Sequence, residues 1–233
     1  MQYLGGKARE AKEFARIIEG LREPNQVYIE PFVGGAWVLE QVSGTRYAYD
    51  INPYLIALYQ AIQDGWQPPD EVTVSEYNEI RAGKPCPDYY RAFLGFGVSF
   101  GGKWFGGYAK NKRGDNYAAR AKRGLLRLYS KLGDVHFAVA DYRTLNPSGA
   151  IVYCDPPYKG CTKYDACADF DSLEFWETAK QWSKTNTVVV SEYTAPTNWI
   201  CIWERPKKVS VRATQTARGT QDNRIERLFL YEP

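Results

Sequence analysis

Apolar positions along the chain follow two different periods. Phe14, Ile17, Ile18 and Leu21 keep the three-to-four spacing of an amphipathic helix, which Pro24 and Asn25 end. Val27-Tyr28-Ile29-Glu30 then reads as a strand, followed by the small-residue turn Pro31-Phe32-Val33-Gly34-Gly35-Ala36 and a helix expected from Trp37 to about Val42. A second strand, Arg46 to Tyr49, ends in Asp50-Ile51-Asn52-Pro53 ahead of a helix through Tyr54 to Leu58. Here Asp50 is a candidate helix cap as well as a candidate ligand. Strand patterning returns with Val135 to Val139, which ends in Asp141-Tyr142, and with the apolar run Ile151 to Cys154, which ends in Asp155-Pro156-Pro157-Tyr158. Ser172 is expected to cap a helix with Phe175, Trp176, Ala179 and Trp182 on its inner face, and Thr187 to Tyr193 reads as another core strand. Trp199 to Glu204, Lys208 to Ala213 and Arg224 to Tyr231 read as antiparallel edge strands, with a polar segment from Thr214 to Asn223 before the last.

Strand, turn and helix in alternation predict an α/β fold with a parallel sheet, and four predicted strand ends carry an acid: Glu30, Asp50, Asp141 and Asp155. In open α/β sheets, ligands gather at that edge. His136 falls within a predicted strand and reads as a core residue. The segment from Lys159 to Phe170, which contains Tyr164, reads as a loop long enough to be a lid.

Residues 67 to 132 break the pattern. Pro68, Pro69, Pro85 and Pro87 interrupt it, and Ser99-Phe100-Gly101-Gly102-Lys103-Trp104-Phe105-Gly106-Gly107-Tyr108 follows. Lys110, Lys112, Arg113, Arg120, Lys122, Arg123, Arg127 and Lys131 come next, with only Asp115 against them. Cations interleaved with glycines and aromatics suit phosphates and bases, so this stretch reads as an inserted, mainly helical DNA-recognition lobe. A solvated basic helix from Arg120 to Lys131, with Leu125, Leu126, Leu128 and Leu132 turned inward, is the plainer reading of its second half.

At 233 residues the chain can bury a full core, and its net charge of +3 neither demands nor excludes nucleic acid. Five cysteines without a C-x-x-C pair and a single histidine leave little material for a zinc site, a disulfide framework or a Ser-His-Asp hydrolase. No stretch approaches the length of an apolar membrane span, and no signal-peptide pattern is visible, so a cytoplasmic protein is expected. Gly5-Gly6-Lys7 invites comparison with a phosphate loop, but the first glycine of that motif is missing, no strand precedes it and Ala8 follows the lysine.

Five motifs in order, Tyr3-x-Gly-Gly-Lys7, Glu30-Pro-Phe-Val-Gly-Gly35, Tyr49-Asp50-Ile-Asn52, Asp141-Tyr142 and Asp155-Pro-Pro-Tyr158, resemble those of the Dam-type DNA adenine-N6 methyltransferases, of the alpha group and D12 class. The resemblance implies a Rossmann-like methyltransferase sheet, mostly parallel with antiparallel carboxyl-terminal strands. Residues 1–66 and 133–233 would form the catalytic domain and 67–132 the inserted recognition domain. It implies S-adenosylmethionine as cofactor, held by Tyr3, Gly6, Lys7, Glu30, Pro31, Phe32, Gly34, Gly35, Asp50, Ile51, Asp141, Tyr142 and Asp155. Asp155, Pro156, Pro157 and Tyr158 would form the catalytic motif, with no metal. Double-stranded DNA would be the partner of a monomer encoded by a bacterium or a phage, with Lys103, Trp104, Tyr108, Lys110 and Arg113 as candidate DNA contacts. One departure stands out: Ala36 occupies a place where a further glycine is common.

The chemistry asks for these residue types. Adenine's exocyclic amine is a poor nucleophile because its lone pair is delocalised into the ring. Asp155 and the Pro156 carbonyl could accept its two hydrogens and relocalise that pair, while Tyr158 stacks on a base flipped from the duplex. Methyl transfer to cytosine-N4 or to RNA, and a catalytically silent binding module on the same fold, are the other readings.

Overall fold

The computed structural model of the chain describes residues 3, 5–111, 113–158, 170–207 and 224–232. The short strand β1 (Tyr28–Glu30) sits inside a seven-stranded sheet, between β2 (Arg46–Asp50) and β4 (Ile151–Cys154), parallel to both. Parallel pairing extends outward to β3 (His136–Val139) on one side and β5 (Thr187–Glu192) on the other. Beyond β5 lie β7 (Arg224–Tyr231) and then β6 (Trp199–Lys207), and β7 is antiparallel to both neighbours, giving the order β3-β2-β1-β4-β5-β7-β6. This is the Rossmann-like, mostly parallel sheet with antiparallel carboxyl-terminal strands that the sequence predicts.

All four residues of β4 are buried, because a parallel strand in the middle of such a sheet is covered on both faces. Alternate side chains divide between two layers. Tyr28, Ile151, Tyr153, Val189 and Leu228 pack with Phe14 and Ile18 of α1 (Ala11–Leu21). Val152, Cys154, Val188, Val190 and Phe229 pack with Phe175, Ala179 and Trp182 of α6 (Ser172–Trp182).

Four further helices lie among the described residues: α2 (Pro53–Gln63), α3 (Val74–Arg81), α4 (Asp88–Ala92) and α5 (Tyr117–Leu132). A π-helical turn at Phe93–Gly97 follows α4, and a turn whose ends pair at Ser99 and Tyr108 projects beyond it. α5 ends the basic segment and also serves as the crossover into β3. The Gln63 amide donates to the carbonyls of Leu132 (2.8 Å) and Val135 (2.9 Å), and Arg46 donates to that of Lys131 (2.8 Å) and pairs with Asp134. Val72, Tyr77, Phe93, Leu125 and Leu128 belong to the same continuous core as Phe14 and Tyr28.

Local expectations fail at several points. Residues 37–42 form turns and a single 3-10 turn, Leu39–Gln41, instead of an α-helix. Gly34 (φ 43°) and Ala36 (φ 56°) take left-handed backbone there, which breaks helical continuity before it starts. α2 is capped by Asn52 and not by Asp50: the Asn52 side chain accepts from the amides of Tyr54 (3.1 Å) and Leu55 (3.3 Å). α6 is capped by Asp171 and not by Ser172, accepting from the Leu173 amide at 2.7 Å. His136 is exposed and stacks on Tyr47, since β3 is an edge strand and only Phe137 of its four residues is buried. The predicted strand Lys208 to Ala213, the polar segment Thr214 to Asn223 and all of the Lys159 to Phe170 loop except Phe170 lie outside the described residues.

Candidate active site

β1, β2 and β4 end side by side, so Glu30, Asp50 and Asp155 share one edge of the sheet. Asp50 is buried, and each carboxylate oxygen accepts one backbone N–H, from Gly34 (3.1 Å) and Asn52 (3.0 Å). Burial outweighs those two donors and lifts its pKa to about 6. Beside it the apolar Ile51 and Val139 remain exposed at adjoining strand ends, Val139 being the register partner of Asp50. A carboxylate flanked by exposed apolar surface suits a nucleoside, whose hydroxyls would donate to the acid while the base lies against the side chains. Glu30 accepts from the Tyr28 hydroxyl at 2.9 Å, and burial pushes its carboxyl well above the ordinary glutamate range.

The Gly34-Gly35 turn meets the amino-terminal arm. A Cβ on Gly6 would lie 2.7 Å from the Trp37 indole nitrogen, one on Gly35 2.6 Å from it, and one on Gly34 3.0 Å from the Tyr3 ring. Three glycines therefore let an aromatic pair, Tyr3 and Trp37, lie against the backbone. The Tyr59 hydroxyl donates to the Gly34 carbonyl at 2.6 Å and fixes the turn from α2. Ala36, where a glycine is common in the resembling family, does adopt the left-handed conformation that glycine takes without cost.

Lys7 reaches from the arm into the sheet edge. Its ammonium is 2.7 Å from Asp155 Oδ1, 3.5 Å from Glu226 Oε1 and 4.3 Å from the centre of the Tyr158 ring. Burial works against the charged amine, but Asp155 and Glu226 together outweigh it and hold its pKa above the ordinary lysine value. Ser191, at the end of β5, donates to the same Asp155 oxygen at 2.9 Å and accepts from the Tyr153 hydroxyl at 3.1 Å. Thus Oδ1 carries two donors, while no described residue donates to Oδ2. Burial pushes the Asp155 carboxyl above the ordinary aspartate range, Lys7 opposes that, and Glu226 adds to it. The Tyr158 hydroxyl donates to Glu226, and its ring meets Tyr193 edge-on.

Residues 3–92 match the family model of the D12 class N6 adenine-specific DNA methyltransferase. The match to this D12 class takes in the arm, the glycine turn and Asp50, and it bears out the resemblance read from the motifs. No curated protein sequence matches the chain. Among solved structures, the fold is similar to a protein of Thermoplasma acidophilum at 12% identity, covering 94% of this chain and 84% of that one, with a TM-score of 0.43. It is also similar to the magnesium protoporphyrin IX methyltransferase of Synechocystis with bound SAM, at 10% identity, 97% and 79% coverage and a TM-score of 0.39.

Relative to the D12 class motifs, most candidate residues gather at one sheet edge, but some are otherwise engaged. Asp141 is held by Arg143, whose guanidinium keeps the carboxyl below the ordinary aspartate range. The Tyr142 ring lies 5.2 Å from that of Phe32, tilted, and also meets Phe170 and Phe175, and burial raises the Tyr142 hydroxyl to about 12. In the basic segment, Trp104 stacks on Tyr54 and packs on Phe96, and Tyr108 donates to the Val72 carbonyl at 2.7 Å. Both act as anchors of the projecting turn, while Lys103, Lys110 and Arg113 are exposed. Sequence patterning missed Ser191, Glu226 and Trp37. Among the described residues, no group of three or more potential ligands is placed to hold a metal ion, and no helix is long and apolar enough to cross a membrane.

Proposed function

We propose that this chain transfers a methyl group from S-adenosylmethionine to the N6 amine of an adenine flipped out of double-stranded DNA. The D12 match supports adenine as the acceptor. The observation that carries the chemistry is the division of labour at Asp155: Lys7 and Ser191 hold Oδ1, and Oδ2 is left to accept from an incoming amine. Asp50, Ile51 and Val139 suit the nucleoside of the cofactor, and the arm with the Gly34-Gly35 turn suits its amino-acid end. When bound, S-adenosylmethionine supplies a methyl group on a sulfonium sulfur, open to in-line displacement by an amine lone pair.

The protein's task is to make adenine's amine nucleophilic. Asp155 Oδ2 and the Pro156 carbonyl would accept its two hydrogens and return electron density to nitrogen, a preorganised electrostatic effect. Tyr158 would stack on the base, and Asp155 would receive the proton that the amine gives up. Lys103, Lys110 and Arg113, with other exposed cations of residues 67–132, would hold phosphates of the duplex. The base has to leave the stack, which costs roughly a few kcal/mol.

Expression in a methylation-free host followed by sequencing of its DNA for modified bases tests the reading. N6-methyladenine at one sequence motif is expected, and Asp155→Ala should abolish it. Methylation confined to cytosine, or none in the DNA, would refute the adenine assignment, and transfer undiminished in Asp155→Ala would refute the mechanism.

A further inference from the structure

β7 carries an acid where its pattern calls for an apolar residue. Leu228 and Leu230 turn from β7 toward the α1 layer, and Glu226, on the same face, is 1% exposed. A buried carboxylate is costly unless it is paired and hydrogen-bonded, and replacing such a group by a packed apolar side chain is often neutral or stabilising. Stability alone therefore gives no reason for Glu226 to be here, whereas its contacts do. It accepts from the Tyr158 hydroxyl and lies 3.5 Å from the Lys7 ammonium, so it touches two members of the proposed transfer site.

Lys7 occupies Asp155 Oδ1 and the space over the Tyr158 ring. An adenine that donates to the other oxygen, Oδ2, while stacking on Tyr158 competes with that ammonium for the face of the ring. Withdrawing Lys7 into a buried space without a counter-charge would cost several kcal/mol, on the order of a broken buried ion pair. Glu226 removes this cost, because the same flexible side chain already lies near a second carboxylate.

We infer that Glu226 is a positioning residue of the transfer site, holding the Tyr158 ring in place and receiving Lys7 when the target base takes the face of that ring. The inference rests on the methyl-transfer reading above. Titratable groups around Glu226 among the described residues include Lys7 from the arm, Tyr153 and Asp155 from β4 and its end, and Tyr158 from the turn. From β6 the register partner of Glu226 is Arg205, whose guanidinium pairs with Glu13 of α1.

Turnover and cofactor KM across pH, measured for the wild type, Glu226→Gln and Glu226→Asp, test this. Glu226→Gln should slow turnover on the order of tenfold or more through misplacement of the ring and lysine, with the cofactor KM little changed. It should also move the acid limb of the turnover profile to lower pH, because Glu226 no longer raises the Asp155 carboxyl. Glu226→Asp keeps the charge but draws its oxygens back from Tyr158, so it should be slow with the acid limb unmoved. It serves as the test if the glutamine variant does not fold. Wild-type turnover in either folded variant, or an unmoved acid limb in Glu226→Gln, overturns the inference. A wild-type protein that methylates no adenine overturns the functional reading instead.

Discussion

Asp50 shows how one buried carboxyl can couple fold, proton and ligand. In the unfolded chain it has an ordinary aspartate pKa, while in the folded protein burial raises it to about 6. Below the unfolded value both states are protonated, and the contribution of Asp50 to stability is fully present. As pH rises toward 6 the unfolded state loses its proton first, so that contribution falls, by about 3 kcal/mol once pH exceeds the folded value. Stability of the free protein, followed by urea denaturation between pH 4 and pH 7.5, should decline through this window, and Asp50→Asn should flatten the decline. The carboxylate is also the form that accepts ribose hydroxyls, so cofactor affinity should rise over the same range. Calorimetry that found affinity falling with pH would remove Asp50 from the ribose.

At the scale of elements, the inserted segment is held by a few side chains whose loss should be felt locally. The Tyr77 hydroxyl, at the centre of α3, pairs with Ser99 Oγ at 2.8 Å and accepts from the Gly107 amide at 3.2 Å, while Ser99 donates to the Leu94 carbonyl at 3.0 Å. One phenol thus ties both ends of the projecting turn to the helix below. Tyr77→Phe should cost about 1–3 kcal/mol, since it leaves partners without their bond. Faster hydrogen exchange at Gly107 with unchanged cofactor affinity is the expected signature; unchanged exchange would mean that the turn is held by Trp104 packing alone.

The order of strands and helices was legible because apolar runs and their periods report burial directly, and β4 with its four buried residues is the clearest case. The helix expected at Trp37 was not observed because left-handed backbone at Gly34 and Ala36 depends on how the turn meets Tyr3 and Trp37, which composition does not record. His136 was misplaced because one strand's sequence does not tell whether it is central or at an edge. At the site, Lys7 and Asp155 stand out within short motifs, whereas Arg224-Ile225-Glu226-Arg227 alternates like an ordinary exposed strand. Glu226 meets Tyr158 across 68 positions of chain, and only the fold brings them together.

At the scale of the whole molecule, a modest net charge of +3 conceals a segregated surface. α5 carries Arg120, Lys122, Arg123, Arg127 and Lys131 and no acid, and the turn region adds Lys103, Lys110 and Arg113. Binding to DNA should therefore weaken steeply with salt, each phosphate contact contributing about 0.9 to the slope of log affinity against log salt. Alanine at Lys110 and Arg113 together should reduce the slope by up to about 2 and weaken all sequences alike. An unchanged slope in a titration of the double variant would exclude these two from the phosphate contacts.

Because α5 both closes the basic segment and leads into β3, the two halves of the chain cannot vary independently. Leu125, Leu128 and Leu132 fill the shared core, and the carbonyls of Lys131 and Leu132 are held by Arg46 and Gln63. Excision of residues 67–132 would remove a core helix along with the turn, so a shortened chain should not fold. If the proposed recognition of DNA holds, selection for a new target sequence would fall on the stretch between Ser99 and Asn116, where exchanges leave the helix in place. Lineages that diverge in target should thus differ in that stretch first and keep the inward leucines of α5.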